Sequence, residues 1–288
     1  MPTRIATILS DYFYDLFHSS SEANLPSSVR LTAISRFLDK VGVQEGSTLM
    51  VHSSWEQLNS GNFSVSDLIK ALLNSVGSSG TLAMPAFAHS ENQFTRAVFD
   101  VRRTPSSGGL VTEAFRRFPN VKRSIHLNHS VCSIGGNANY LTRDHHRSET
   151  SWDEFSPYYR LRNIDDAWIV GLGVGHRLKV ATSLHCVESI LWKKNRYFKK
   201  IFKEKINYLY KNDEGDFGQH SFMERHGEIY TPKLAKYFSS DELIEEVIEG
   251  LEVYAIRARI LVDKAINLGR KGKTMYIWPI PFKRYFDL

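Results

Sequence analysis

Short apolar runs of strand length alternate with segments of helical periodicity through most of this 288-residue chain, and that alternation restricts it to a layered α/β fold. Leu31, Ile34, Phe37, Leu38 and Val41 recur at helical spacing, and Gly42 stands where a C-cap glycine belongs. Residues 47–52 (STLMVH) then read as a buried strand. Ser66-Asp67 opens a second helix, with Leu68, Ile69, Leu72, Leu73 and Val76 on its inner side and Gly77 at its end. A second strand runs from Thr81 until Pro85 stops it. Downstream, 110–118 reads as helix, 131–134 as strand, 137–146 as helix, 167–172 as a buried strand and 182–191 as helix. Residues 242–268 carry long helical periodicity. The expected architecture is α/β/α, with a mostly parallel central sheet.

One domain is expected over 1–288. Residues 1–28 form an N-terminal extension ending in a Ser-rich loop, and about 197–236, of mixed polarity and little periodicity, form an insertion or lid. Hydrophobic residues at 42% and charged residues at 24% are globular proportions, which excludes collagen-like and disordered classes. Two cysteines, Cys132 and Cys186, cannot make a disulfide framework. No apolar run approaches the ~18–20 residues of a membrane span, and Asp11 and Asp15 break the pattern of a secretory signal. A cytoplasmic protein is the expectation. The net charge of +6 favours anionic partners. Seven cations between Lys193 and Lys205 stand against one acid, Glu204, and the simplest account is a solvated face. No zinc-finger spacing or RNA-binding consensus accompanies them, so no nucleic-acid partner is expected.

Several polar clusters stand out against this background. Gly171, Gly173 and Gly175 follow a strand but lack the later glycine of a dinucleotide fingerprint, so a tight turn is expected. His52-Ser53-Ser54 follows a strand directly, where open α/β sheets bind ligands; the alternative is a capping turn. His126 and His129 precede a strand, with no acidic or cysteine cluster at ligand spacing, which leaves a structural pair or a place in a substrate pocket ahead of a metal site. If 182–188 (TSLHCVE) is helical, His185 and Glu188 share a face at i and i+3. A carboxylate beside imidazole raises its basicity and sets its tautomer, as a general base requires. The alternative is a half-buried histidine paired with a surface glutamate. Cys186 points about 100° away from His185.

Taken together, five stretches resemble the aminoglycoside 3-N-acetyltransferase family, the antibiotic N-acetyltransferase fold. They are 49–54 (LMVHSS), 80–87 (GTLAMPAF), 104–106 (TPS) with Gly108 and the helix at 113–117, 123–131 (RSIHLNHSV), and 171–174 (GLGV) leading to 182–188. The resemblance implies acetyl-CoA as co-substrate without a metal, with His185 as the catalytic histidine; Glu188 is the candidate carboxylate to orient it, and which carboxylate does so is left open. It also implies His52, Ser53, Ser54, Thr104, Pro105, Ser106, Ser130 and Val131 along the cofactor. The chemistry of amide formation calls for oxyanion donors, for which the backbone amides of the His52–Ser54 turn are candidates. His126, His129 and Lys179 are the expected substrate-binding residues. The loop 175–182 (GHRLKVAT) departs from the family by being basic, which suits a polycationic acceptor poorly. The expected acceptor is therefore an amino sugar carrying a nucleotide or lipid, as in surface-polysaccharide synthesis. The alternatives are an aminoglycoside, as in antibiotic resistance, and a catalytically silent relative that only binds. Self-association is left open.

Overall fold

Three strands with almost fully apolar sequences lie side by side at the centre of the molecule, buried on both faces. They belong to a computed structural model that describes residues 29–88 and 98–286. In chain order its strands are β1 (Thr48–Ser53), β2 (Thr81–Pro85), β3 (Phe99–Asp100), β4 (Lys122–Arg123), β5 (Val131–Gly135) and β6 (Ala167–Leu172), then β7 (Phe202–Lys211), β8 (Phe217–Arg225), β9 (Glu228–Ile229), β10 (Leu243–Ile248), β11 (Leu251–Arg257) and β12 (Tyr276–Trp278). The helices that cover the sheet are α1 (Leu31–Val41), α2 (Val65–Val76), α3 (Leu110–Arg116), α4 (Cys186–Leu191) and α5 (Ala258–Arg270). The N-terminal extension lies outside the described residues.

The main sheet has the order β10-β11-β6-β1-β2-β5-β4. β6, β1 and β2 are parallel neighbours. β11 and β5 run antiparallel to them, and β10 and β4 turn back again, so five of the seven strands point one way. Strand alternation divides the core. Met50, Ala83, Ile169 and Tyr254 face a cluster that includes Leu184, Val187, Leu261 and Val262 of the α4–α5 side. Leu49, Val51, Leu82 and Val170 face Phe37, Leu38, Leu68 and Leu72 of α1 and α2. Burial on both faces is why these strands read as continuous apolar runs.

Two expectations change. Residues 242–268 are not one helix: β10 and β11 form a hairpin, and only α5 is helical. Glu249 and Gly250 at its turn both have positive φ, 49° and 87°, the conformation that matches a two-residue turn to twisted strands. The side chain of Glu249 also binds Arg30 (backbone N–H and guanidinium), which ties the turn to the start of α1. Residues 197–236 are regular rather than aperiodic: β7 and β8 pair along nearly their whole length. Phe222 and Tyr208 pack on Ala88, Phe99, Val101 and Leu127, while lysines of β7 face solvent. A hairpin buried on one side through a few residues gives only a weak periodic signal.

Candidate active site

Parallel packing of β6, β1 and β2 places their carboxyl ends along one edge, where open α/β sheets bind ligands. Ser53 ends β1, Pro85 ends β2 and Leu172 ends β6, and the antiparallel β5 begins at the same edge with Val131 opposite Pro85. The chain leaves β6 through a tight turn with Gly173 at φ 69° and Gly175 at φ 84°, as the glycine spacing predicts. Gly171 meets a separate demand. It is the register partner of both His52 and Tyr254, and a Cβ there would lie 2.1 Å from the Tyr254 ring.

His185 closes a 3₁₀ turn, Thr182–His185, that runs directly into α4. Glu188 stands one turn on and is fully buried, and its Oε1 lies 2.5 Å from Nδ1 of His185. The same oxygen accepts the Tyr276 hydroxyl of β12 at 2.9 Å. A carboxylate oxygen meeting two donors is an acceptor, so Nδ1 carries the proton and Nε2 presents the ring's lone pair. Trp152 stacks on the other side of His185, with ring centroids 4.4 Å apart and planes at 23°. The His185 side chain keeps 12% of its surface exposed, so the ring is not sealed in the core. Burial lowers its pKa, Glu188 opposes that through charge and hydrogen bond, and the positive charge of Arg225 lowers it further. The imidazole is neutral at pH 7, as a base must be. Cys186 is buried behind it, with a thiol pKa raised well above the usual range by desolvation.

The predicted residues divide by place. His129 lies against Trp152, with ring centroids 4.4 Å apart. His126 lies deeper, stacked on His145 at 4.5 Å and beside His220 and Phe222. Its Nδ1 accepts the His129 amide at 3.1 Å, while its Nε2 and Nδ1 of His129 are buried without partners. Burial, followed by the neighbouring imidazoles, holds His126 well below the normal histidine range. His145 is pinned between the Ser124 hydroxyl and the Ser151 carbonyl, and its pKa falls to about 3 through burial.

Lys179 lies against the turn that leaves β6. Its Nζ and Glu252 Oε2 are both close to Gly175, and the Tyr254 hydroxyl donates to its carbonyl at 3.1 Å. The rest of the basic loop likewise folds against β10, with the Arg177 amide on Glu245 and the His176 ring 2.9 Å from the Glu246 carbonyl. Carboxylates cluster nearer Trp152: Glu149 pairs with Lys193, and Glu154 and Asp153 also raise the pKa of that lysine.

Of the expected cofactor residues, His52 is buried on β1 with Nε2 unpartnered and a pKa lowered to about 4 by desolvation. Ser54 donates its amide to the Leu172 carbonyl at 3.0 Å, so that amide is already engaged. Ser130 donates to the Ala86 carbonyl at 2.5 Å and accepts from Arg123 at 2.9 Å. Arg123 also reaches the Thr104 carbonyl, and the Val131 amide is held by Ser124 at 2.9 Å. Ser106 gives its amide to Glu113, next to Pro105. Buried Arg123, its pKa lowered to about 10 by desolvation, thus joins the 104–106 turn to the ends of β2 and β5.

Tyr276, Trp152, Arg225, His145 and His220 were not visible from spacing. Each arrives from a distant segment, and only the abundance of histidine hinted at the cluster. Among the described residues no three His, Cys, Asp or Glu side chains are arranged to hold a metal ion, and no helix is long and apolar enough to cross a membrane.

Comparison with known proteins bears on the family and the fold. Aminoglycoside N(3)-acetyltransferase IV of Salmonella sp is 32% identical over 150 residues, 51% of this chain and 54% of that protein. The chain spans between 54% and 59% of the length of the first curated relatives it matches. A crystal structure of aminoglycoside acetyltransferase AAC(3)-IVa in complex with a gentamicin superimposes with a TM-score of 0.67 at 26% identity, over 84% of this chain and 89% of that one. The fold is shared, at 18% identity and a TM-score of 0.66, with AAC-IIIb in its binary complex with CoASH, over 85% of this chain and 97% of that one. The family model for aminoglycoside 3-N-acetyltransferase matches residues 50–269, which contain most of β1, all of β6, His185 and Glu188, and the chain belongs to that family.

Proposed function

We propose that this chain transfers an acetyl group from acetyl-CoA to an amine of an aminoglycoside, with His185 as general base. The observation that carries the proposal is the His185–Glu188 pair, its Nδ1 engaged by the buried carboxylate and its Nε2 without a hydrogen-bond partner among the described residues, on a side chain that keeps some exposed surface. An acceptor amine is protonated at neutral pH and attacks only after losing that proton; Nε2 of His185 takes it. Glu188 holds the tautomer and stabilises the imidazolium that forms, and Tyr276 fixes Glu188. Acetyl-CoA supplies the activated thioester carbonyl. The orphaned, buried Nε2 of His52 suits a hydrogen-bonding group on its pantetheine arm, and Ser53 and the 104–106 turn flank the same edge. Ser130, held by Arg123, and Val131, whose amide is held by Ser124, have their polar groups satisfied internally and would shape the wall.

The acceptor follows from charge. The basic loop that argued against a polycation is anchored on β10 through the Arg177 amide and the His176 ring, while Glu149, Asp153 and Glu154 lie in the loop that carries Trp152, with Glu149 paired to Lys193. That arrangement suits a polyamine. A second reading, an amino sugar bearing a nucleotide or another phosphate, draws on Arg225, whose charge reaches His185. CoA release from acetyl-CoA, followed with gentamicin and with a nucleotide-linked amino sugar, distinguishes the two. Turnover on gentamicin is expected. Turnover on the nucleotide sugar alone would move the acceptor assignment to the second reading, and no CoA release with any amine would leave a binding protein.

A further inference from the structure

The last described strand points both inward and outward. Tyr276 of β12 is fully buried with its hydroxyl on Glu188, and the pairing with β9 shifts register between Tyr276 and Trp278. That irregularity turns Trp278 outward. Beyond it the chain exposes three large apolar side chains within five residues: Trp278 at 52%, Ile280 at 41% and Phe282 at 46%. The segment is held in place, because the Pro279 carbonyl accepts the buried Tyr197 hydroxyl at 2.5 Å and the Tyr276 carbonyl accepts Lys233. Cations frame it. Lys203 lies over the Trp278 ring at 5.6 Å, Lys200 over Tyr285 at 4.0 Å, and Arg284 over Phe282 at 5.4 Å.

We propose that this segment is a docking surface for an anionic lipid bilayer, with Trp278, Ile280 and Phe282 entering the headgroup boundary and Lys200, Lys203 and Arg284 meeting the phosphates. Exposed aromatic and aliphatic side chains beside Lys200, Lys203 and Arg284, which outnumber the exposed Glu228 opposite Trp278 on β9, match what an interfacial anchor needs: apolar surface to bury and charge to attract acidic lipids. A nucleic-acid backbone would use the cations but leave the three apolar groups without a partner. A second copy of the chain would bring the same positive ring against itself. The cations of the 193–205 stretch, exposed on the short helix Arg196–Lys199 and on β7, extend the field around the patch. Since Tyr276 of β12 also holds Glu188, docking through Trp278 would engage the same short strand two residues, or about 7 Å, further along.

The test is co-sedimentation of the full chain with vesicles of phosphatidylcholine, and with vesicles of phosphatidylcholine and phosphatidylglycerol in equal parts. This readout does not depend on acetyl transfer. Binding to the acidic vesicles alone is expected, lost at high salt. It should weaken about ten-fold or more in W278S/F282S and, independently, in K200E/K203E. The second pair alters only exposed charges, so a folding failure of the first would not obscure the result. No binding at low salt, or undiminished binding by K200E/K203E, overturns the proposal. So does vesicle-independent dimerisation that both variant pairs abolish, which would make the patch an interface between copies, or tighter binding to duplex DNA than to acidic vesicles.

Discussion

His185 and Glu188 are joined at 2.5 Å through Nδ1 and Oε1, and the glutamate has no exposed surface. A buried carboxylate held against one imidazole nitrogen commits the other to face outward. If that pair is the base, His185→Ala loses at least ~10²-fold in turnover. Steady-state kinetics with acetyl-CoA and gentamicin would show it, and unchanged turnover would remove His185 from the mechanism.

Glu188→Gln separates orientation from proton removal. Because Glu188 raises the His185 pKa against burial, its neutralisation lets that pKa fall further. The acidic limb of the pH–rate profile, where His185 must be neutral, should therefore move to lower pH. Turnover should drop about 10²-fold, since the wrong tautomer becomes accessible. A limb that stays in place would mean that Glu188 does not tune the ring.

Tyr276→Phe removes one of the two donors on Oε1 of Glu188 while keeping the aromatic packing. A hydrogen bond to a buried charged group contributes about 1.5–3 kcal/mol, so denaturant unfolding should show a loss of that size. Turnover should change less than in Glu188→Gln. Unchanged stability would show that the hydroxyl is dispensable to the carboxylate.

The buried imidazoles make stability depend on pH. His52, with a pKa of about 4, and His145, about 3, are held neutral by burial, whereas an unfolded histidine titrates near 6.5. Below that value the unfolded chain binds protons that the native one does not, so stability falls as pH drops from about 6.5 towards these lowered values. Each such group contributes a slope of about 1.4 kcal/mol per pH unit within its window. Urea unfolding at pH 7.5 and 5.5 should show a steep decline, shallower by about one proton in His145→Asn. Equal stability at the two pH values would contradict the burial of these rings.

Gly171→Ala should destabilise the chain by about 1–3 kcal/mol, because the added methyl meets the buried Tyr254 ring at 2.1 Å. Thermal unfolding reports it directly. An unchanged melting temperature would mean that the tyrosine can retreat at no cost.

The strands β1, β2 and β6, the covering helices α1 and α2 and the His185–Glu188 spacing are legible in the chain because each depends on residues close in sequence. Apolar runs mark burial on two faces, and i, i+3 spacing marks a shared helix face. The β10–β11 hairpin was obscured because apolar residues spaced for one helix face also serve an edge hairpin, and the deciding signal was a two-residue turn. The charge of the 175–182 loop was equally legible, but not its anchoring; the Glu245 carboxylate and the Glu246 carbonyl, about seventy residues away, hold the Arg177 amide and the His176 ring. Tertiary structure alone brought Tyr276 to Glu188 and Trp152 to His185, across 88 and 33 positions respectively. Such contacts come from packing between separate elements, and local periodicity carries no information about which distant side chain will fill the remaining space.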